Sequence, residues 1–136
     1  MPAPIEFVDA VDVVRRYLRD SLAARGDDVK VVTRVPSPRP PRFIRIERVG
    51  GSRLDLITDR PRLDIHCWGP DETAATDLAK VARALVLAIP GWRYVAAAYD
   101  VAEVGGPNTA PDPVSGQERA SFAVEVSLRG KALAAP

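Results

Sequence analysis

Residues 62–89 read RLDIHCWGPDETAATDLAKVARALVLAI, and this stretch decides the fold. Leu63, Ile65 and Cys67 alternate with polar or bulky residues, which is the period of two expected of a strand with one buried face. The Gly-Pro pair that follows ends the strand, because proline cannot donate a hydrogen bond to a ladder. The rest of the stretch predicts an amphipathic helix.

The predicted helix has recognisable ends. Asp71 supplies a side-chain acceptor for an N-cap, and Glu72 places negative charge at the positive end of the helix. Pro90-Gly91 ends it. The apolar residues of one face recur at intervals of three and four: Leu78, Val81, Ala82, Leu85 and Ile89.

Towards the N-terminus, the sequence predicts another helix and two strands. Residues 6–25 repeat the helical spacing of apolar side chains. Residues 29–35 are a β-branched run suited to a buried strand. The PSPRPP segment at 36–41 keeps the chain extended and cannot belong to a central strand. Residues 43–49 then resume strand character.

The next segments are rich in glycine and proline. Gly50-Gly51 is predicted to turn the chain, and residues 52–61 to form either a loop or a short extra hairpin arm. Beyond the second helix, residues 92–104 predict a long strand. The segment GGPNTAPDPVSGQE at 105–118 predicts a long loop, because it holds many breakers and almost nothing to bury.

The C-terminal part completes the pattern. Residues 119–129 predict a last strand, and residues 131–136 a frayed tail. The element order is α-β-β-β-α-β-β within one domain, 1–136. Strands joined by turns pair antiparallel, and two helices can cover only one face of a sheet. The sequence therefore predicts an α+β two-layer sandwich, a mostly antiparallel sheet of four to five strands with two helices on one face. The other face of the sheet must be exposed to solvent, or buried against another chain.

The composition is that of an ordinary soluble globular protein, with 46% hydrophobic and 27% charged residues. No apolar run approaches the roughly 20 residues that span a bilayer. The first residues lack the basic and apolar regions of a signal peptide, so we expect synthesis in the cytoplasm. A single cysteine excludes an internal disulfide.

Positive charge is concentrated in one segment. Residues 30–62 hold nine basic and three acidic side chains, a net of +6, whereas residues 63–136 hold six against nine, a net of −3. Two interpretations stay open. The segment is either a surface that meets DNA or an acidic partner, or a solvated face whose charges pair elsewhere in the assembly.

The sequence shows no catalytic or metal-binding signature. His66 and Cys67 are adjacent in a strand and point to opposite faces, so they cannot share a metal ion. No serine or acid has a spacing that indicates a partner for His66. The acidic pairs fit a turn and a helix start, and no glycine-rich phosphate motif is present. We therefore predict a protein that is not an enzyme and needs no metal or cofactor.

Three pieces of the chain resemble the tail terminator proteins of long-tailed, siphovirus-type bacteriophages of actinobacteria. The strand, Trp-Gly turn and alanine-rich helix of 62–89 form the first piece. PRFIRIERVGG at 41–51, followed by TDRP at 58–61, resembles the family's Arg-rich strand and Gly-Gly break. PDPVSGQERASFAVEVSLRG at 111–130 resembles its Pro/Asp/Gly loop and last strand.

The resemblance implies a structural virion protein, made in the host cytoplasm and located in the tail or neck. Such a protein caps the tail tube as a ring, usually a homohexamer, ends tube polymerisation and provides the surface for head–tail joining. The implied partners are further copies of the chain, the tail tube protein and a head–tail connector or stopper protein. DNA would pass through the ring lumen without sequence-specific binding. The alternatives are another neck protein, of the head-completion, stopper or connector type, and a small nucleic-acid-binding module.

Seven polar residues are the interface candidates, and solvated surface is the alternative for each: Arg42, Arg45, Glu47, Arg48, Asn108, Asp112 and Gln117. The basic strand at 42–48 is predicted to lie against an acidic neighbour or to line the lumen. Phe43 is predicted to pack in the core, and Trp68 and Trp92 to be structural anchors.

Overall fold

The computed structural model describes residues 3–91 and 97–136, and this part of the chain contains two helices and two sheets. Trp92 and the first residues of the strand predicted at 92–104 lie outside the described residues. The elements in chain order are β1 Ile5–Glu6, α1 Ala10–Ala24, β2 Lys30–Val32, β3 Phe43–Asp55, β4 Thr58–Trp68, α2 Glu72–Leu87, a 3-10 turn Ile89–Gly91, β5 Ala98–Thr109, β6 Arg119–Arg129 and β7 Lys131–Ala132.

The main sheet has five strands in the order β2-β3-β4-β6-β5, and both helices pack on the same face of it. This confirms the predicted α+β two-layer sandwich. The short strands β1 and β7 pair with each other in a separate two-stranded sheet. Neither helix in the described ranges is long and apolar enough to cross a membrane.

The central strand β4 follows its predicted alternation. Leu63, Ile65 and Cys67 are fully buried beneath the helices, whereas Asp64 and His66 lie on the opposite face and are only partly buried. Burial raises the pKa of the Cys67 thiol, because the charged thiolate is poorly solvated in the core. This cysteine is therefore a small core hydrophobe, as such buried cysteines usually are.

Helix α2 begins as predicted but turns a slightly different face to the sheet. Asp71 is its N-cap and accepts a hydrogen bond from the backbone N–H of Ala74 at 2.8 Å. Val81 and Leu85, predicted to be core residues, are only partly buried. The buried face is instead rich in alanine, which lets the helix lie close to the sheet: Ala75, Leu78, Ala79, Ala82 and Val86.

One strand pair departs from the antiparallel pattern. Strands β2 and β3 are parallel, with Lys30 opposite Phe43 and Val32 opposite Arg45. The prediction that neighbouring strands joined by turns pair antiparallel is wrong here. The extended proline segment at 36–41 returns the chain to the end where β2 begins, so β3 runs in the same direction. Strand β2 also ends at Val32, three residues before the predicted end.

The predicted turn at Gly50-Gly51 is wrong, because β3 continues through it to Asp55. The register between β3 and β4 shifts there, so the glycines form a bulge and not a turn. The chain reverses at Leu56-Ile57 instead. The chain pairs with itself on both sides of this reversal, from Gly51 opposite Pro61 to Asp55 opposite Thr58, which confirms the hairpin interpretation of residues 52–61. We call residues 49–57, at the end of this hairpin, the hairpin arm.

Two predictions for the C-terminal part also need correction. Strand β5 runs to Thr109, so only residues 110–118 of the predicted 105–118 loop are outside strands. It is an edge strand with several register shifts, and such a strand tolerates the Gly-Gly-Pro run. The start of the predicted frayed tail is ordered by pairing, because Lys131 and Ala132 form β7 opposite Glu6 and Ile5.

Candidate functional site on the open face of the sheet

The face of the main sheet that turns away from the helices carries a row of polar side chains. Because alternate residues of a strand point to opposite faces, each strand that buries apolar side chains under the helices presents its other residues here. We call this surface the open face. Its central residues are Arg45 and Glu47 of β3, Asp64 and His66 of β4, and Ser121 of β6.

His66 joins three strands at the centre of the open face. Its Nδ1 lies 2.7 Å from Ser121 Oγ on one side, and its Nε2 lies 3.0 Å from Glu47 Oε1 on the other. Arg45 contacts the second oxygen of Glu47 at 3.2 Å. The hydrogen bond from His66 and the charge of Arg45 hold the pKa of Glu47 below its usual range, although partial burial opposes them.

Asp64 brings a second carboxylate to the same place. It lies directly opposite Glu47 in the register of β3 and β4, a position where two like charges repel. Arg62 compensates from two residues away on the same strand, with its Nε 3.4 Å from Asp64 Oδ1. One ligand atom from each of Glu47, Asp64 and His66 lies within 4.8 Å of the others.

A depression of about 200 Å³ adjoins this cluster. It lies where the register of β5 slips between Gly105 and Asn108, so the edge strand leaves a gap beside β6. Arg62, Asp64, Asn108 and Ser121 are among the residues that line it. The open face is therefore a polar surface with a shallow recess beside β5.

The Ser121–His66–Glu47 chain has the order of a nucleophile, a base and an orienting acid. Ser121, however, lies inside a paired strand, opposite His66 on one side and Asn108 on the other. The backbone N–H groups of such a strand point along the sheet into its ladders, so they are not available to stabilise an oxyanion above the face.

Sequence reasoning missed His66, Asp64 and Ser121 as site residues. No spacing in the sequence indicated a serine or acid partner for His66, yet both are in contact with it. The three strands must be aligned before these contacts exist, because His66 is 19 residues from Glu47 and 55 from Ser121. The only signal in the sequence was that these residues occupy the polar positions of alternating strands.

Three of the predicted interface residues belong to the open face. Arg45 and Glu47 lie at its centre, as described above. Asn108 lines the depression from β5. The other four are engaged in contacts within the chain.

Arg42 and Arg48 each hold a different part of the fold. Arg42 donates two hydrogen bonds to the carboxylate of Asp27, at 2.8 and 2.7 Å, and these hold the pKa of Asp27 below its usual range. Arg48 contacts Asp59 Oδ2 at 3.3 Å and donates to the carbonyl oxygen of Gly50 at 3.1 Å, beside the bulge of β3. These contacts support structural roles for both arginines.

Asp112 and Gln117 tie two loops together at one end of the open face. Asp112 accepts hydrogen bonds from Trp68 Nε1 at 3.0 Å and from Arg39 Nη1 at 3.3 Å. Gln117 Nε2 donates to the carbonyl oxygen of Pro41 at 2.9 Å. We call these four side chains, Asp112, Trp68, Arg39 and Gln117, the Asp112 network.

Beneath the Asp112 network lies a small second apolar cluster. The rings of Phe43 and Trp68 stack at 4.5 Å with an angle of 9° between their planes, and both residues are buried. Arg39 covers both rings. Phe43 and Trp68 are therefore packing residues, as predicted, but they pack on the open side of the sheet and not in the main core.

The positive segment is largely neutralised within the chain. Six of its nine basic side chains lie within 3.4 Å of a carboxylate oxygen: Arg39, Arg42, Arg45, Arg48, Arg60 and Arg62. Paired charges of this kind give a much weaker field than the net charge of the segment suggests. These ion pairs favour a solvated face over a surface that meets DNA or an acidic partner. The pairing carboxylates belong to the same chain.

Comparison of the chain with protein-family models finds no match, and comparison with curated protein sequences finds none either.

Proposed function

We propose that this chain is a structural virion protein that caps a phage tail tube as a ring, ends tube polymerisation and provides the surface for head–tail joining. The resemblance to tail terminators supports the proposal. Its pieces at 41–51, 58–61, 62–89 and 111–130 include α2 and contribute to β3, β4 and β6, the three central strands of the main sheet. The resembling segments therefore form one continuous part of the fold.

The observation that carries the proposal is that one chain presents two unlike surfaces without a covering layer. The open face is charged and polar, whereas the hairpin arm exposes Leu54, Leu56 and Ile57, which are 61%, 66% and 48% accessible. A ring needs a heterologous contact, in which one surface of each subunit meets a different surface of the next, and closure then stops growth. We assign the hairpin arm and the open face to such contacts.

The same division of surfaces fits the task of a terminator. One side of the ring must match the last ring of tube protein, and the opposite side must not, since polymerisation would otherwise continue. DNA passing through the lumen requires only weak contact. Arg45, which is paired with Glu47, suits such a lumen-facing position better than an unpaired arginine.

Another neck protein of the head-completion, stopper or connector type remains the nearest alternative, with the same structural class but a different partner. A small nucleic-acid-binding module is the more distant one. The pairing of six basic side chains with acids of the same chain speaks against it.

The first test is the mass of the purified chain in solution, measured by light scattering with and without assembled tail tubes. The chain alone has a mass of 14.7 kDa. We expect either a hexamer-sized species or a monomer that forms a ring only at tube ends. A monomer that ignores tubes and binds DNA in a salt-sensitive way would overturn the proposal in favour of the nucleic-acid-binding module.

A charge reversal tests the role of the open face. We expect Arg45→Glu to reduce tube capping and infectivity by about tenfold or more, because it places a third carboxylate beside Glu47 and Asp64 and repels an acidic neighbour. Arg83→Glu is the matched control, since Arg83 pairs with Glu103 on the helix side of the sheet. The proposed role of Arg45 is wrong if Arg45→Glu leaves both ring formation and infectivity intact.

A further inference from the structure

The centre of the open face brings together one imidazole and two carboxylates from two neighbouring strands. Glu47 and Asp64 are directly opposite each other in the register, and His66 follows Asp64 by two residues on the same face. Two adjacent carboxylates repel each other, and a divalent cation between them removes that cost. We propose that Glu47, Asp64 and His66 bind a divalent transition-metal ion, and that zinc fits the site best. This goes beyond the proposed function and does not depend on it.

The spacing of the three side chains suits a small ion. A tetrahedral zinc ion with bonds of about 2.0–2.1 Å has neighbouring ligand atoms about 3.3 Å apart. His66 Nε2 and Glu47 Oε1 are already 3.0 Å apart. The ligand atoms all lie within 4.8 Å of one another, so Asp64 needs to approach by at most about 1.5 Å, which a side-chain rotation supplies.

Ser121 orients the imidazole for this role. A metal-binding histidine usually donates the N–H of its other ring nitrogen to an oxygen, which fixes the ring and its tautomer. His66 Nδ1 lies 2.7 Å from Ser121 Oγ, and its Nε2 points towards the carboxylates. The serine hydroxyl can donate or accept, so it supports His66 both when Nε2 carries a proton and when that nitrogen binds metal and the proton is on Nδ1.

Two arginines compete with the metal for the carboxylates. Arg45 contacts Glu47 at 3.2 Å, and Arg62 contacts Asp64 at 3.4 Å. Both arginine side chains are about one-third to one-half accessible, so they can turn towards water when an ion enters. The metal affinity therefore depends on the difference between the free energy of metal ligation and the free energy of these two ion pairs.

The ligand types select the ion. Imidazole suits zinc and its neighbours in the transition series, whereas calcium and magnesium prefer sites made wholly of oxygen. Three protein ligands leave at least one coordination position on the solvent side of the sheet. Water, or a carboxylate of a chain docked on the open face, would complete the coordination.

The test is calorimetric titration of the EDTA-treated full chain with zinc chloride near neutral pH. We expect one zinc ion per chain, with the affinity reduced at least about tenfold in His66→Gln and in Asp64→Asn. Asp77→Asn is the matched control, because Asp77 is an exposed carboxylate on α2. Far-ultraviolet circular dichroism of each variant checks that it folds. If one of the two ligand variants does not fold, the other one carries the test.

A further variant, Arg62→Gln, distinguishes a metal site from a cluster that only stabilises the fold. Arg62→Gln releases Asp64 from its ion pair, and we expect zinc to bind several-fold more tightly as a result. Unchanged affinity in Arg62→Gln would overturn the assignment of Asp64 as a ligand. The whole site is excluded if the wild-type chain does not bind zinc, or if binding survives both His66→Gln and Asp64→Asn.

Discussion

Replacing Asp112 with alanine is expected to lower the free energy of unfolding by about 3 kcal/mol, because it removes a nearly buried carboxylate and the hydrogen bonds and ion pair that this carboxylate forms. The side chain of Asp112 is only 7% accessible. It accepts hydrogen bonds from the Trp68 indole at 3.0 Å and from the backbone N–H of Val114 at 2.9 Å, and it pairs with Arg39. The variant leaves the Trp68 and Val114 donors without this acceptor and removes the ion-pair partner of Arg39.

Urea unfolding followed by circular dichroism measures the effect. Asp20→Ala is the control, because Asp20 forms an exposed ion pair with Arg19 and its loss is expected to cost less than about 1 kcal/mol. A loss below about 1 kcal/mol for Asp112→Ala would mean that the Asp112 network does not hold the loops together.

The same carboxylate predicts a dependence on pH. The hydrogen bonds from Val114 and Trp68 lower the pKa of Asp112 to about 2, against burial, which raises it. An aspartate in an unfolded chain has a pKa of about 3.9. The folded-state pKa is the lower one, so ionised Asp112 contributes its full stabilisation above about pH 4. This stabilisation is lost as the pH falls towards about 2. The stability difference between the wild type and Asp112→Ala should shrink over this window, and a constant difference would contradict the assignment.

Substitution of Gly51 by alanine is expected to cost about 3 kcal/mol or more, because the added methyl group meets backbone on the opposite strand. A Cβ at this position would lie 2.4 Å from the carbonyl oxygen of Arg60 and 2.6 Å from the backbone nitrogen of Arg62. The backbone φ of +81° adds strain for any residue with a side chain. The bulge at the base of the hairpin arm therefore requires glycine.

The chain offers a closely matched control for this prediction. Gly26 follows α1 with a φ of +82°, and a Cβ there would meet nothing within 4 Å. Gly26→Ala is expected to cost about 1 kcal/mol, from backbone strain alone. Equal losses in urea unfolding for the two variants would show that the hairpin can shift to accept the methyl group.

The local features of the fold were predictable because they depend on neighbouring residues. The alternation in β4 and the cap at Asp71 are encoded within a few positions, and both were confirmed. The bulge at Gly50-Gly51 was not predictable in this way. A glycine pair fits a turn and a bulge equally well, and only the pairing of β3 with β4 beyond it distinguishes the two.

The candidate site depends on strand register, which local patterns do not determine. Glu47 and Arg45 were chosen for their charge, but their neighbours on the open face come from β4 and β6. Asp112 was assigned to an interface because its loop has little to bury. A usable signal was present in Trp68, since a buried indole N–H needs an acceptor and a nearby loop carboxylate is a suitable one.

The contact between Asp112 and Arg39 joins positions 73 residues apart, whereas the contact between Glu47 and His66 spans only 19. We expect the longer contact to form later during folding, after the β3–β4 hairpin, because closing a longer loop costs more entropy. Ser121 reaches His66 only once β6 has paired with β4. The open face is therefore completed only when β3, β4 and β6 have paired, so a partly synthesised or partly folded chain lacks it.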